Sequence, residues 1–180
     1  MMANQAVQAP ALWQQLQAVT HVLAQVRQGV SATAALEAVK PHLRPGVQAL
    51  VYQVMRQLGR AQALRDKLVK RAPPPLSDAL LCVALGLAWD GEKAPYAPYT
   101  LVNQAVEAAK RMRSLQGQSS FINACLRRFL RERVALVQAT DEDLQAKWNH
   151  LIWWIQILQQ QYPSHWQAIL QVNNHAALIT

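Results

Sequence analysis

The chain has 180 residues and a mass of 20.2 kDa, enough for one domain or for one domain and a short attached segment. Hydrophobic residues make up 52% and charged ones 16%, which excludes an intrinsically disordered chain. Two cysteines cannot build a disulfide framework, no run of about 18 apolar residues is present to cross a bilayer, and the first ten residues lack the basic patch and apolar run of a secretory signal, so a cytoplasmic, reducing setting is expected.

Taken in chain order, the periodicity predicts helices and no strands. Residues 12–28 place Leu12, Leu16, Val19, Leu23 and Val26 at spacings of three and four, and Gly29 ends that stripe. Ser31 suits the N-cap of a short helix through Val39, stopped by Pro41. From Pro45, an apolar stripe runs through Val47, Leu50, Val51, Val54, Met55 and Leu58. It bends at Gly59 and continues with Ala61, Leu64 and Leu68 to about Arg71.

Pro73, Pro74 and Pro75 break the chain. Leu76 to Trp89 is then apolar on nearly every side, as a helix at the centre of a bundle must be. After a loop with Gly91, Pro95 and Pro98, Thr100 caps a helix carrying Leu101, Val102, Ala105, Val106 and Ala109. Gly117 breaks it, and Ser119 or Ser120 opens a helix with Phe121, Ile122, Cys125, Leu126, Phe129 and Leu130. Asp141, Glu142 and Asp143 suit a helix N-terminus. Four tryptophans (148, 153, 154 and 166) then mark a change of composition. The expected architecture is an all-α bundle of seven or more helices over residues 10–140, with a separate helical connector over 141–180.

Charge is the first clue to function. The net charge is +8 and the isoelectric point about 10.0. Residues 40–71 hold eight basic residues and one acid, and residues 110–133 hold seven and one, while the rest of the chain is net acidic. Two such concentrations suit a polyanion, most often a nucleic acid. In the first segment Arg56, Arg60, Lys67 and Arg71 recur near whole helical turns, with Lys70 beside them. In the second, Arg127, Arg128 and Arg131 lie opposite an apolar stripe, and Lys110, Arg111 and Arg113 precede them. These eleven are the candidate phosphate contacts, since each guanidinium offers a planar fork of donors. Asn123 and Arg127, four apart, also suit a structural role: Asn123 bonding a neighbouring loop or helix end, and Arg127 pairing with Glu107.

Catalytic patterns are missing. The six glycines form neither a dinucleotide-binding nor a P-loop signature, and the five histidines have no metal-ligand spacing. Cys82 and Cys125 lie in apolar runs and read as small core residues. No catalytic, cofactor-binding or metal residue is expected in this chain.

Several segments carry a family resemblance. Tyr99-Thr-Leu-Val-Asn-Gln-Ala-Val-Glu-Ala-Ala-Lys110, followed by Phe121-Ile-Asn-Ala-Cys-Leu-Arg-Arg-Phe-Leu-Arg131, resembles the paired helices of the NusB-like antitermination fold, and Ala49 to Arg60 resembles an earlier stretch of it. His150-Leu-Ile-Trp153, Tyr162-Pro-Ser-His-Trp166 and Asn173-Asn174 are similar to the N-terminal region of the bacterial small-subunit ribosomal RNA cytosine-5 methyltransferases, the Sun/Fmu family. The resemblance implies an RNA-binding bundle followed by a catalytic domain that uses S-adenosylmethionine and a cysteine thiolate. That domain's Pro-Cys and Thr-Cys pairs do not occur here, since Cys82 follows Leu81 and Cys125 follows Ala124. The chain is therefore expected to be an N-terminal portion, inactive alone, whose partners are ribosomal RNA and its own methyltransferase domain, with no membrane or metal involved.

Leu151 stands where the family has proline, and Gln156-Ile157 where it has a Lys-Arg pair. Trp153 and Trp154 are accordingly expected to pack against the bundle or the catalytic domain. A free antitermination factor acting with a ribosomal protein, and a helical protein-interaction module, are the alternative readings.

Overall fold

A computed structural model describes residues 9–175. Its described residues are helical, with no strand. The helices are α1 (Leu12–Arg27), α2 (Ala32–Glu37), α3 (Arg44–Arg56), α4 (Leu58–Leu68), α5 (Pro75–Ala88), α6 (Pro98–Arg111), α7 (Ser119–Thr140), α8 (Leu144–Trp148), α9 (Ile152–Gln161) and α10 (Trp166–Asn173).

The all-round apolar helix is the centre, as its composition requires. Every residue of α5 from Ser77 to Ala88 is buried, and α1, α3, α4, α6 and α7 all pack on it. Its first turn carries the buried Asp78, which accepts from Arg27 Nη1 at 2.7 Å and also pairs with Arg65. Two cations and the helix N-terminus thus compensate a carboxylate that burial alone would expel.

Several helix ends follow the sequence. Gly29, at φ +95, turns the chain after α1. Ser31 caps α2 by accepting from the Ala34 N–H at 3.2 Å. The α6 helix begins at Pro98, two residues before the expected Thr100 cap, because proline's fixed φ suits a first helical position. Gly117 does not break the chain into a loop; it lies in a 3-10 turn over Gln116–Gln118 that leads into α7.

The third stripe is two helices rather than one bent helix. The break falls at Gln57, and a residue from far along the chain satisfies it. Asn149, in the left-handed conformation at φ 55, ends α8. Its Oδ1 accepts from the Gly59 N–H at 2.8 Å and its Nδ2 donates to the Met55 carbonyl at 3.0 Å. One carboxamide therefore serves a donor and an acceptor that the break frees. Asn174 donates to the Trp148 carbonyl at 2.7 Å and pins α10 to the same corner.

Asp143 caps α8, accepting from Gln145 and Ala146, so the acidic run does open a helix. Beyond it, Trp148, Ile155, Leu158 and Leu170 form a second small core, with Trp148 edge-on to Trp166 at 5.1 Å. Trp153 and Trp154 do not pack against the bundle as one of the two expectations held. Trp153 is 57% exposed and Trp154 36%, beside exposed Leu151, Ile152 and Ile157. The buried side of α9 is taken by Ile155 and Leu158, which leaves the tryptophans on the outer side.

The corner at Gly59 is tight enough to test. A side chain there would collide with the Gln145 carbonyl oxygen, a backbone atom that cannot move without α8. Helix propensity favours Gly59→Ala by up to about 1 kcal/mol, but overpacking opposes it by about 1–3 kcal/mol. Urea unfolding should therefore show a net loss of stability, with tryptophan fluorescence reporting loosening of α8; a gain would contradict this packing.

Candidate nucleic-acid interface

The α7 helix lies between α4 and α6, and both run antiparallel to it. On one side Arg60, near the start of α4, reaches Thr140 and Asp141 at the end of α7, while Leu68, at the end of α4, meets Arg128. On the other side Lys110, at the end of α6, shares a groove with Ser119 and Ser120 at the start of α7, and Tyr99 faces Val134. The C-termini of α4 and α6 therefore flank the N-terminal half of α7.

This topology gathers eight of the eleven candidates at one end. Lys67, Lys70 and Arg71 come from the end of α4 and the loop beyond it. Lys110, Arg111 and Arg113 come from the end of α6 and the short connection to α7. Arg127 and Arg128 come from α7 between them, while Arg131, a turn further on, lies beside Pro98 and Tyr99 at the start of α6. The opposite end carries Asp141, Glu142 and Asp143 after α7, and Asp90 and Glu92 in the loop where Gly91 lies against Arg133. The charge is thus uneven along α7: one end is strongly basic, while at the other these five acids are offset by Arg56, Arg60, Arg133, Lys93 and Lys147.

Arg60 leaves the candidate set. It is 5% exposed, donates to the Thr140 hydroxyl at 2.7 Å, pairs with Asp141 at 2.8 Å and lies 5.0 Å from the Trp89 ring centroid. A guanidinium held this way joins α4 to the end of α7 and has no face left for a phosphate. Arg56, half-buried at the end of α3, lies apart from the candidates gathered at the ends of α4 and α6.

The other nine differ in their freedom. Arg111 pairs with Glu107 and lies 4.3 Å from the Trp13 ring centroid. Arg128 pairs with Glu132 at 3.2 Å and reaches the Leu68 carbonyl at 3.4 Å, across the end of α4. Arg127 donates to Asn123 Oδ1 at 2.9 Å, so the Glu107 pairing expected for it is made by Arg111 instead. Lys67, Lys70, Arg71, Lys110, Arg113 and Arg131 are exposed and have no carboxylate partner among the described residues. The helix dipole stabilises Lys67, Lys110 and Arg111 in their last turns. It gives no account of Lys70, Arg71 and Arg113 beyond the helices, or of Arg131 within one.

Between α6 and α7 lies an open groove of about 440 Å³. Lys110, Arg127 and Asn123 line it, as expected candidates or motif residues, together with Asn103, a residue of the α6 motif, and Ser119 and Ser120, which the sequence marked only as helix openers and not as site residues. Nothing in their local sequence marks them as groove residues, since a lone Asn or Ser has no periodic signature for a ligand.

Neither thiol is placed for chemistry. Cys82 and Cys125 are buried, and burial pushes both pKa values up, away from the thiolate. Among the described residues no group of three or more His, Cys, Asp or Glu could hold a metal ion.

The division between holding and presenting residues predicts a contrast. Arg60→Ala should lower the unfolding free energy by about 1–3 kcal/mol, because buried charge-assisted hydrogen bonds are lost. Changing Lys67, Lys70 and Arg71 together to Gln should leave it within about 0.5 kcal/mol per site. Equal losses in chemical denaturation would contradict the contrast.

The comparisons with known proteins agree with this architecture. The NusB family matches residues 4–131. A probable ribosomal RNA small subunit methyltransferase B from Coxiella burnetii is 28% identical over 149 residues, covering 83% of this chain and 34% of that protein. The ribosomal RNA small subunit methyltransferase B proteins of Vibrio vulnificus and Vibrio cholerae are each 32% identical, over 171 and 160 residues, covering 89% and 83% of this chain but 38% and 35% of theirs. The chain thus spans little more than a third of the length of these curated relatives, and the family match ends near Arg131, within α7. With its strandless bundle around α5, its paired α6 and α7 and this match over most of its length, the chain belongs to the NusB family.

Proposed function

We propose that this chain is the RNA-binding N-terminal domain of a small-subunit ribosomal RNA (cytosine-5) methyltransferase. It engages ribosomal RNA in the cytoplasm and holds it for a catalytic domain that lies outside these 180 residues. The observation that carries the RNA reading is the basic end of the α4–α7–α6 layer, where three elements converge without carboxylates to neutralise most of their cations. Similarity to methyltransferase B proteins supplies the enzyme.

The chain's own residues do no chemistry in this reading. S-adenosylmethionine and the cysteine nucleophile belong to the catalytic domain, and the two buried thiols here are unsuited to that role. The exposed face of α9 supports a second contact. From Trp148 to His175 there is no Asp, Glu, Lys or Arg, so Leu151, Ile152, Trp153, Trp154 and Ile157 form an uncharged surface on a protein of net charge +8. A surface of that kind suits a protein partner rather than RNA, and the catalytic domain is the partner proposed. A free antitermination factor would leave this face without an occupant.

Phosphate contacts make affinity depend on salt. With four or five phosphates engaged, log affinity should fall against log salt concentration with a slope of roughly −3 to −4. Filter binding to a small-subunit rRNA fragment, with an acidic protein as competitor, measures this. Arg127, Arg128 and Arg131 changed together to Gln should weaken binding and flatten the slope while helicity stays intact. A salt-insensitive interaction, or stronger capture by the acidic competitor, would instead favour a protein-interaction module.

A further inference from the structure

The groove between α6 and α7 has features that a plain basic ridge lacks. Its two cations come from opposite walls, Lys110 from α6 and Arg127 from α7. Neither has a carboxylate partner among the described residues. The groove's one acid, Glu107, is already paired with Arg111, whose guanidinium is in turn held over Trp13. Asn123 is oriented as well: its Oδ1 accepts from Arg127 Nε, so its amide nitrogen keeps both hydrogens for another acceptor. The lining is otherwise polar, with Val106 the one apolar side chain. A concave, donor-rich site with its own acid neutralised selects a small anion with several acceptor oxygens.

We propose that this groove is a built phosphate site, seating one phosphodiester of the bound RNA strand between Lys110 and Arg127 with the Asn123 carboxamide donating to it. The assignment rests on the RNA reading above and goes beyond it. The ridge residues Lys67, Lys70 and Arg71 attract the strand without fixing its register, and the groove holds one phosphate in place. Arg111 acts as a positioning residue, because it keeps Glu107 paired without entering the groove's donor set.

A charge-preserving substitution separates a built site from diffuse attraction. Asn123→Ala removes no charge, and the half-exposed Asn123 has Arg127 as its one side-chain partner among the described residues, so folding should be unaffected. In the built site the change removes a hydrogen bond to a charged oxygen, and affinity for a single-stranded rRNA fragment should fall about tenfold. The salt slope should stay as in the parent protein, because the same phosphates are neutralised. Lys110→Gln should lose affinity and flatten the slope by close to one unit.

If the parent protein binds the fragment and Asn123→Ala binds it equally well, the groove proposal is overturned while the ridge reading stands. If the parent protein does not bind the fragment at any salt concentration, both fall together. Inorganic phosphate, titrated while following the Asn123 side-chain amide by NMR, tests the other source of this chemistry. Saturation by phosphate as tight as that by the oligonucleotide would give the groove to a free phosphate compound and overturn the RNA assignment. Weak phosphate binding at the same amide supports it.

Discussion

A helix without a polar face has to be surrounded, and α5 imposes that condition on the rest of the chain. From Ser77 to Ala88 no residue reaches solvent, so α1, α3, α4, α6 and α7 must each lay an apolar stripe against it and turn their polar sides outward. With α4 and α6 both antiparallel to α7, whatever the sequence places at the ends of α4 and α6 is brought beside the first half of α7. The sequence places lysine and arginine there. The basic end follows from the way the core is covered, and two segments about 40 residues apart become one surface.

The same arrangement explains why the charge is uneven instead of uniformly cationic. Arg60, Arg65 and Arg27 are spent inside the fold, on Thr140 and Asp141 or on Asp78. The acids that remain in loops, at Asp90, Glu92 and Asp141–Asp143, lie at the far end of α7. A polyanion approaching such a charge distribution would be drawn to the basic end of the bundle. The Trp-rich tail is attached at the start of α4, through Asn149 and the α3–α4 break, and its uncharged outer face is exposed. A basic end and an uncharged tail face on different parts of the molecule are what the proposed function, holding RNA for a neighbouring domain, would use.

Much of this was legible in the residues. The central helix could be read from its lack of a polar side, and the paired α6 and α7 from their motifs. The buried cysteines could be read from their apolar neighbours. The row Arg56, Arg60, Lys67 and Arg71 misled, for a physical reason. It assumed one helical axis from Pro45 to Arg71, but the helix breaks at Gln57 and ends at Leu68, so spacing across those points says nothing about a shared face. Arg60 also finds its partners about 80 residues away, and Asn149 finds its own 90 residues away. Contacts at that range leave no periodic trace. Asn103 and Ser120 become groove residues only once α6 and α7 are packed side by side.

Lysine reactivity toward an acylating reagent, with and without a small-subunit rRNA fragment, reads the polarity of the surface directly, because the chain carries internal controls. Lys67, Lys70 and Lys110 sit at the basic end, while Lys93, in the loop beside Asp90, and Lys147, on α8, sit at the other. RNA should protect the first three and leave Lys93 and Lys147 as reactive as before. Uniform protection of all five, or protection of Lys93 and Lys147 alone, would contradict a basic end built to receive RNA.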